Sequence, residues 1–158
     1  MRLHVPIRLR WADLDAYGHV NNTDMLRILE EARIEAFWAT DDESAGSMAV
    51  LDGRPGASTL SLIARQEIEY LAPVPYLRRP LDVSMWLSRM GGASLDICYE
   101  VRSPLGDPQE ESAQTLFARA RTTLVLVDAE TNRPRRISDL ERAAWQPYVE
   151  EPVAFSRS

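Results

Sequence analysis

Apolar and polar side chains alternate from the start of the chain, with Leu3, Val5, Ile7, Leu9 and Trp11 on one side and His4, Arg8 and Arg10 on the other. A period of two belongs to a half-buried strand, so the spacing predicts a strand over 2–11. Pro6 cannot donate to a ladder and points to an edge strand or a strand start. After a polar turn through Asp13, Asp15 and Gly18 the period changes. Met25, Ile28, Leu29, Ala32 and Ala36 recur at helical spacing, Leu26 and Phe37 widen the stripe, and Arg27, Glu30, Glu31 and Glu35 lie largely opposite. This predicts a helix over 22–39, capped by Asn21, Asn22 or Thr23, with Asp24 suited to its positive end.

Residues 41–58 are rich in Asp, Gly and Ser and read as a loop. Strands dominate from Thr59. Ile68, Tyr70 and Ala72 alternate with Glu67 and Glu69 until Pro73 and Pro75 end the run. Leu81, Val83, Met85 and Leu87 alternate with Asp82, Ser84, Trp86 and Ser88, and Gly91-Gly92 turns the chain into a second alternating run, Leu95 to Val101. After a turn over 104–111, a last strand is expected over 112–127. One of its faces, Ala118, Ala120, Thr122, Leu124 and Leu126, is small enough for a helix to sit close. Ser138-Asp139-Leu140-Glu141 is a capping-box pattern for a short final helix. A strand, a long helix and then an antiparallel run of strands make an α+β layout in one domain over 1–158, a sheet with one face covered by a helix. Many folds share that order.

Composition narrows the classes. The chain has 158 residues, 45% apolar, with a formal charge of −6. Nothing in that balance attracts nucleic acid, so an anionic ligand would have to rely on local arginines or backbone N–H groups. One cysteine, Cys98, excludes an internal disulfide and reads as a small packed residue. No apolar leader opens the sequence and no stretch approaches a membrane span, so the expectation is a cytoplasmic protein with no membrane partner. The four tryptophans are expected in the core or at an interface.

Several catalytic devices are missing from the sequence. There is no Gly-x-Ser-x-Gly elbow and no glycine-rich phosphate loop before a helix. Two histidines, His4 and His19, and one cysteine offer no metal-ligand set, so no metal or cofactor is expected. What remains is the segment before the long helix. Asp13 and Asp15 stand two residues apart, Gly18 permits a tight turn, and the helix then begins near Asn22. A helix N-terminus carries unpaired N–H groups and a positive dipole end, which can stabilise the oxyanion formed on attack at a thioester carbonyl. A neighbouring carboxylate can attack or activate water. A thiolate leaves readily, so one acid and one oxyanion donor suffice.

The segment Arg10-Trp11-Ala12-Asp13-Leu14-Asp15-Ala16-Tyr17-Gly18-His19-Val20-Asn21-Asn22, followed by Glu30-Glu31-Ala32-Arg33, resembles the signature of the 4-hydroxybenzoyl-CoA thioesterase-like hotdog family. Glu67 to Val74, Arg89 to Leu95 and Pro134 to Ser138 resemble its later motifs, in the same order. The resemblance implies a five- or six-stranded antiparallel sheet wrapped around the long helix. It also implies dimers joined edge to edge with active sites at the interface, often paired into tetramers. The activity it implies is hydrolysis of an acyl-CoA, or less readily an acyl-ACP, to acid and thiol. Asp15 would be nucleophile or general base and the amide near Asn22 the oxyanion donor. Tyr17, Gly18, His19 and Met25 are expected to border substrate, with Arg65, Arg89 and Ser94 as candidate CoA contacts. Met25 stands where the family often has Tyr. The alternatives are a non-catalytic acyl-CoA-binding protein and a hotdog hydratase or dehydratase; the latter pairs its acid with a His from a different arrangement.

Overall fold

The computed structural model describes residues 1–39, 48–106 and 114–156. Five strands, β1 (Leu3–Ile7), β2 (Thr59–Tyr70), β3 (Leu81–Met90), β4 (Ser94–Arg102) and β5 (Leu116–Asp128), form one sheet in the order β1-β3-β4-β5-β2. Every pairing is antiparallel. The long helix α1 (Asn22–Phe37) lies over one face, and α2 (Asp139–Trp145) follows the last strand.

The expected stripe of α1 is its buried face. Met25, Ile28, Leu29, Ala32 and Ala36 are all buried, joined by Phe37, while Glu30, Glu31 and Glu35 face out. They pack over Val83, Met85, Leu87, Leu95, Ile97 and the small side chains of Ala118 and Ala120. Asn21 caps the helix, its side-chain oxygen accepting from the Thr23 N–H at 2.9 Å. The helix ends at Phe37, two residues short of expectation, because Trp38 turns extended and pairs with Leu51.

Three further differences have physical causes. β1 stops at Ile7 rather than Trp11, and Trp11–Asp13 forms a 3-10 turn held by the Asp13 carboxylate on the Arg10 N–H at 2.7 Å. Residues 48–51, expected as part of a polar loop, return to the core: Met48 and Leu51 are buried, and Trp145 Nε1 donates to the Met48 carbonyl at 3.0 Å, while 52–56 stay exposed. The rest of that loop (41–47), most of the 104–111 turn and the first residues of the expected last strand lie outside the described residues. Finally, β3 is buried on both faces, Asp82, Ser84 and Trp86 included. The segment 149–156 runs across the outer face of the sheet, the Glu150 N–H donating to the Leu87 carbonyl and Trp86 Nε1 to the Glu151 carbonyl, both at 2.8 Å.

The Gly91-Gly92 hairpin and the Ser138 capping box form as expected. At the other margin of the sheet β2 is an edge strand of 12 residues, bulged between Ile63 and Arg65, with Leu60, Leu62 and Ile63 exposed. Among the described residues no helix is long and apolar enough to cross a membrane.

Candidate active site

Residues 14–20 form a small antiparallel loop between the end of β1 and the start of α1. Leu14 bridges Val20, and the Asp15 N–H donates to the His19 carbonyl at 2.8 Å. Gly18 closes the loop with φ +77, a left-handed conformation that an L side chain would strain. A second strand-like contact ties it to the sheet: His19 bridges Pro75 and the Val20 N–H donates to the Val74 carbonyl at 2.9 Å.

The two carboxylates of this segment are placed very differently. Asp13 is fully buried. It accepts from the Arg10 N–H, from the Arg10 guanidinium (3.2 and 3.0 Å) and from Arg27 Nη2 at 2.8 Å. Burial pushes its carboxyl up, but those hydrogen bonds and the Arg27 charge outweigh burial and hold it below the ordinary aspartate value. Its own carbonyl accepts from the Asn21 N–H at 2.9 Å, which joins it to the helix start. Asp15 is half-buried, and its Oδ1 accepts from the Tyr17 and His19 N–H groups at 2.8 and 3.3 Å. Those bonds orient the carboxylate, and Oδ2 has no partner among the described residues.

A cleft of about 330 Å³ opens beside Asp15. His19, Asn22, Met25 and Tyr70 also line it, and its wall is apolar: Val20, Leu71, Ala72, Pro73 and Val74. Asn22 is the first residue of α1, so its N–H precedes the intrahelical ladder; among the described residues that N–H has no acceptor. Tyr70 Oη donates to the Asn22 carbonyl at 3.3 Å, and burial pushes the Tyr70 phenol up, so it stays an O–H donor. The sequence reading passed over Tyr70 and the 71–74 wall as site residues. The signal was present in the strand ending at Pro73, but nothing in it says that this end faces the helix start.

Of the expected contacts, the fold brings Asp15, His19, Asn22 and Met25 into one cleft. The Tyr17 side chain is 86% exposed, on the loop above it with Gly18. Arg89 and Ser94 sit at the β3–β4 hairpin. Tyr70 aligns with Ala118 and Val101, whereas Ser94 aligns with Val125, so seven residues, roughly 23 Å, separate them within one chain. Arg89 is held there by Asp96 and by Ser94 Oγ at 2.9 Å, and exposed Arg65 pairs with Glu67. The other histidine builds no relay: Asp82 Oδ1 (2.8 Å) and Ser84 Oγ (3.3 Å) meet the same ring nitrogen of His4, whereas a triad needs them on opposite nitrogens. No cluster of metal-ligating side chains occurs among the described residues. A larger groove of about 820 Å³ on the outer sheet face is bordered by Arg2, Trp86, Glu100 and Glu150. Ion pairs among these side chains fill its chemistry.

Residues 9–150 match the family model of the thioesterase-like superfamily, and the chain belongs to that superfamily. Solved structures place the fold among the hotdog proteins. A predicted thioesterase from Bacillus stearothermophilus superposes with a TM-score of 0.71 at 23% identity, covering 97% of this chain and 100% of that one. PA2801, a thioesterase candidate from Pseudomonas aeruginosa, matches at 29% identity and a TM-score of 0.66, covering 90% and 95%. A candidate acyl-CoA thioesterase from Xanthomonas campestris matches at 22% identity and 0.59, covering 85% and 98%. A search of curated proteins returns no match.

Proposed function

We propose that the protein hydrolyses an acyl-CoA thioester to the free acid and CoA. The observation that carries this reading is the joint placement of an oriented carboxylate, Asp15, and a helix-start N–H without an acceptor, Asn22, on one cleft with an apolar wall. The apolar wall takes the acyl group and the Asn22 N–H receives the carbonyl oxygen as it gains negative charge, a contribution of typically about 3 kcal/mol for one such donor. Asp15 then acts by one of two routes. Its free oxygen attacks the carbonyl carbon, forming a mixed anhydride as the C–S bond breaks and the thiolate leaves, and water hydrolyses the anhydride. Alternatively it takes the proton of a water that attacks instead. Both routes consume one water and release acid and thiol.

The working unit is a homodimer, with tetramers as pairs of dimers. β2 supports this: a 12-residue edge strand with exposed Leu60, Leu62 and Ile63 presents unpaired backbone groups and apolar side chains together, which invites a second copy. The Tyr70 end of that edge borders the cleft, so a partner strand would complete its wall.

The test is thiol release from a panel of aliphatic and aryl acyl-CoAs, with Asp15→Asn as control. Turnover of at least one thioester that collapses in the folded variant is expected. Wild-type protein inert on every thioester, while still binding acyl-CoA, would overturn hydrolysis in favour of a binding protein.

A further inference from the structure

The exposed aromatic side chains of the described residues gather at one end of the molecule. Trp11 is 74% exposed, Tyr17 86%, Tyr70 44% and Tyr76 39%, and all four stand on the Asp15 loop or on the 70–76 segment that runs beside it. Trp11 and Tyr76 pair edge to face with ring centroids 5.3 Å apart. Tyr76 follows Pro75, the residue bridged to His19 at the lip of the cleft. Large exposed aromatic faces cost solvation unless something covers them.

The arginines at this end are equally uneven. All basic residues of the chain are arginines, and most hold a carboxylate: Arg89 on Asp96, Arg119 on Glu69, Arg121 on Glu67 and Arg135 on Glu141. Arg8 and Arg78 are exposed and make no hydrogen bond or ion pair among the described residues. Arg8 stands three residues before Trp11 and Arg78 two after Tyr76, on the two segments that run from the paired Ile7 and Leu81 to the ring contact. In a chain of charge −6, two unpaired cations beside an aromatic platform suit a ligand with a flat π-face and phosphates. Arg133 and Arg136 are also unpaired but lie beyond the far end of β5, where no exposed aromatic accompanies them.

We infer that the Trp11–Tyr76 pair, flanked by Arg8 and Arg78, docks the 3′-phosphoadenosine diphosphate end of coenzyme A. Adenine stacks on the exposed indole, the phosphates meet the two guanidinium groups, and the pantetheine arm runs over the His19–Pro75 lip to the cleft. This rests on the thioesterase reading and deepens it, because it makes the carrier CoA rather than an acyl carrier protein. It adds affinity remote from the reacting carbon, so it acts on KM and leaves kcat alone.

The probes are adenosine 3′,5′-bisphosphate and free CoA, titrated by calorimetry, and acyl-CoA against acyl-pantetheine in turnover. Adenosine 3′,5′-bisphosphate should bind wild type. The double variant Arg8→Gln/Arg78→Gln should weaken it tenfold or more, Trp11→Ala severalfold, and Arg133→Gln/Arg136→Gln not at all. In turnover, KM for acyl-CoA should rise about tenfold in Arg8→Gln/Arg78→Gln with kcat kept, while acyl-pantetheine is processed as by wild type. Binding of the bisphosphate that persists without Arg8 and Arg78, or equal losses on both thioesters, would overturn the assignment. So would faster turnover of acyl carrier protein thioesters than of acyl-CoA, or an Arg-dependent change in oligomeric state. Arg-dependent nucleotide binding in a protein that hydrolyses no thioester would retain the docking site and sink the thioesterase reading instead.

Discussion

At the hairpin end of the sheet, where β3 turns into β4 and α2 follows, polar groups meet partners. Arg89 holds Asp96, which also accepts from Thr123; Arg135 grips both oxygens of Glu141 at 2.8 and 2.7 Å; Arg142 donates to the Gly91 carbonyl. Arg133 and Arg136 are the exceptions there, whereas at the Asp15 end one cleft brings together an N–H without an acceptor and a carboxylate oxygen without a donor among the described residues, beside four exposed aromatic rings. A group that is to meet a ligand must keep a hydrogen-bonding position free of partners within the chain, as the ion-paired side chains of the hairpin end do not. Asp13 makes the contrast sharpest, because it stands two residues from Asp15 and yet belongs, by its contacts, with the finished end.

Exchanging the fates of those two aspartates gives the largest expected effects. Asp15→Asn keeps shape and hydrogen bonding but removes the charge, and loss of a base or nucleophile typically costs about 100- to 10,000-fold in turnover; its melting temperature should move little. Asp13→Asn should do the reverse, leaving two arginines against a neutral amide and costing about 3 kcal/mol, on the order of 6–12 °C in Tm for a chain of this size. Turnover and thermal melts of both variants check the pair. A folded, fully active Asp15→Asn beside an inactive, stable Asp13→Asn would reverse the roles.

The same contrast explains what the sequence could and could not disclose. The α1 register was legible because one stripe, Met25 to Ala36, meets one apolar face. The Ser138 capping box and Gly91-Gly92 were legible because they are local chemistry. The double burial of β3 was not: alternation marks Asp82, Ser84 and Trp86 as the solvent side, yet His4 meets Asp82 and Ser84, Gln114 meets Asp82, and a segment more than 60 residues later meets Trp86. Met48 and Leu51 were hidden likewise in a polar stretch. The placement of Asp15 and Asn22 on one cleft was legible because they share one short loop and a helix start. Tyr70 reaches the same cleft from 48 residues away, through strand pairing that no local pattern encodes.

Acid should find the finished end and Asp13 first. Glu141 is buried; burial raises its carboxyl, but the Arg135 guanidinium and the Ser138 N–H outweigh it and hold it below the ordinary glutamate value. With folded-state values depressed at both residues, their stabilisation is fully present above the unfolded-state values, near 3.9 for Asp and 4.3 for Glu. It is lost as pH falls through those values towards the folded ones. Glu141→Gln should cost about 2 kcal/mol at neutral pH and flatten the decline of unfolding free energy below about pH 4. Urea melts from pH 7 to 3 read this; an unchanged slope in both Asp13→Asn and Glu141→Gln would mean that other carboxylates govern acid unfolding.

The smallest effect is expected from Asn22→Ala, and its smallness is the point. If the oxyanion donor is the main-chain N–H of the first helical residue, the side chain is dispensable. The cap is supplied by Asn21, whose oxygen holds the Thr23 N–H, so the start of α1 survives the change. Alanine also favours the helix more than asparagine does. Turnover should therefore fall less than about threefold, against the hundredfold or more that removing a true oxyanion donor costs. Asn22→Pro makes the complementary variant. Proline is well tolerated at the first helical position, so the fold should persist, but it deletes the N–H itself. The pair should separate, with Asn22→Ala near wild type in kcat and Asn22→Pro down by about two orders of magnitude. Equal and large losses in both would move the donor to the Asn22 side chain, and wild-type turnover in both would remove position 22 from the chemistry.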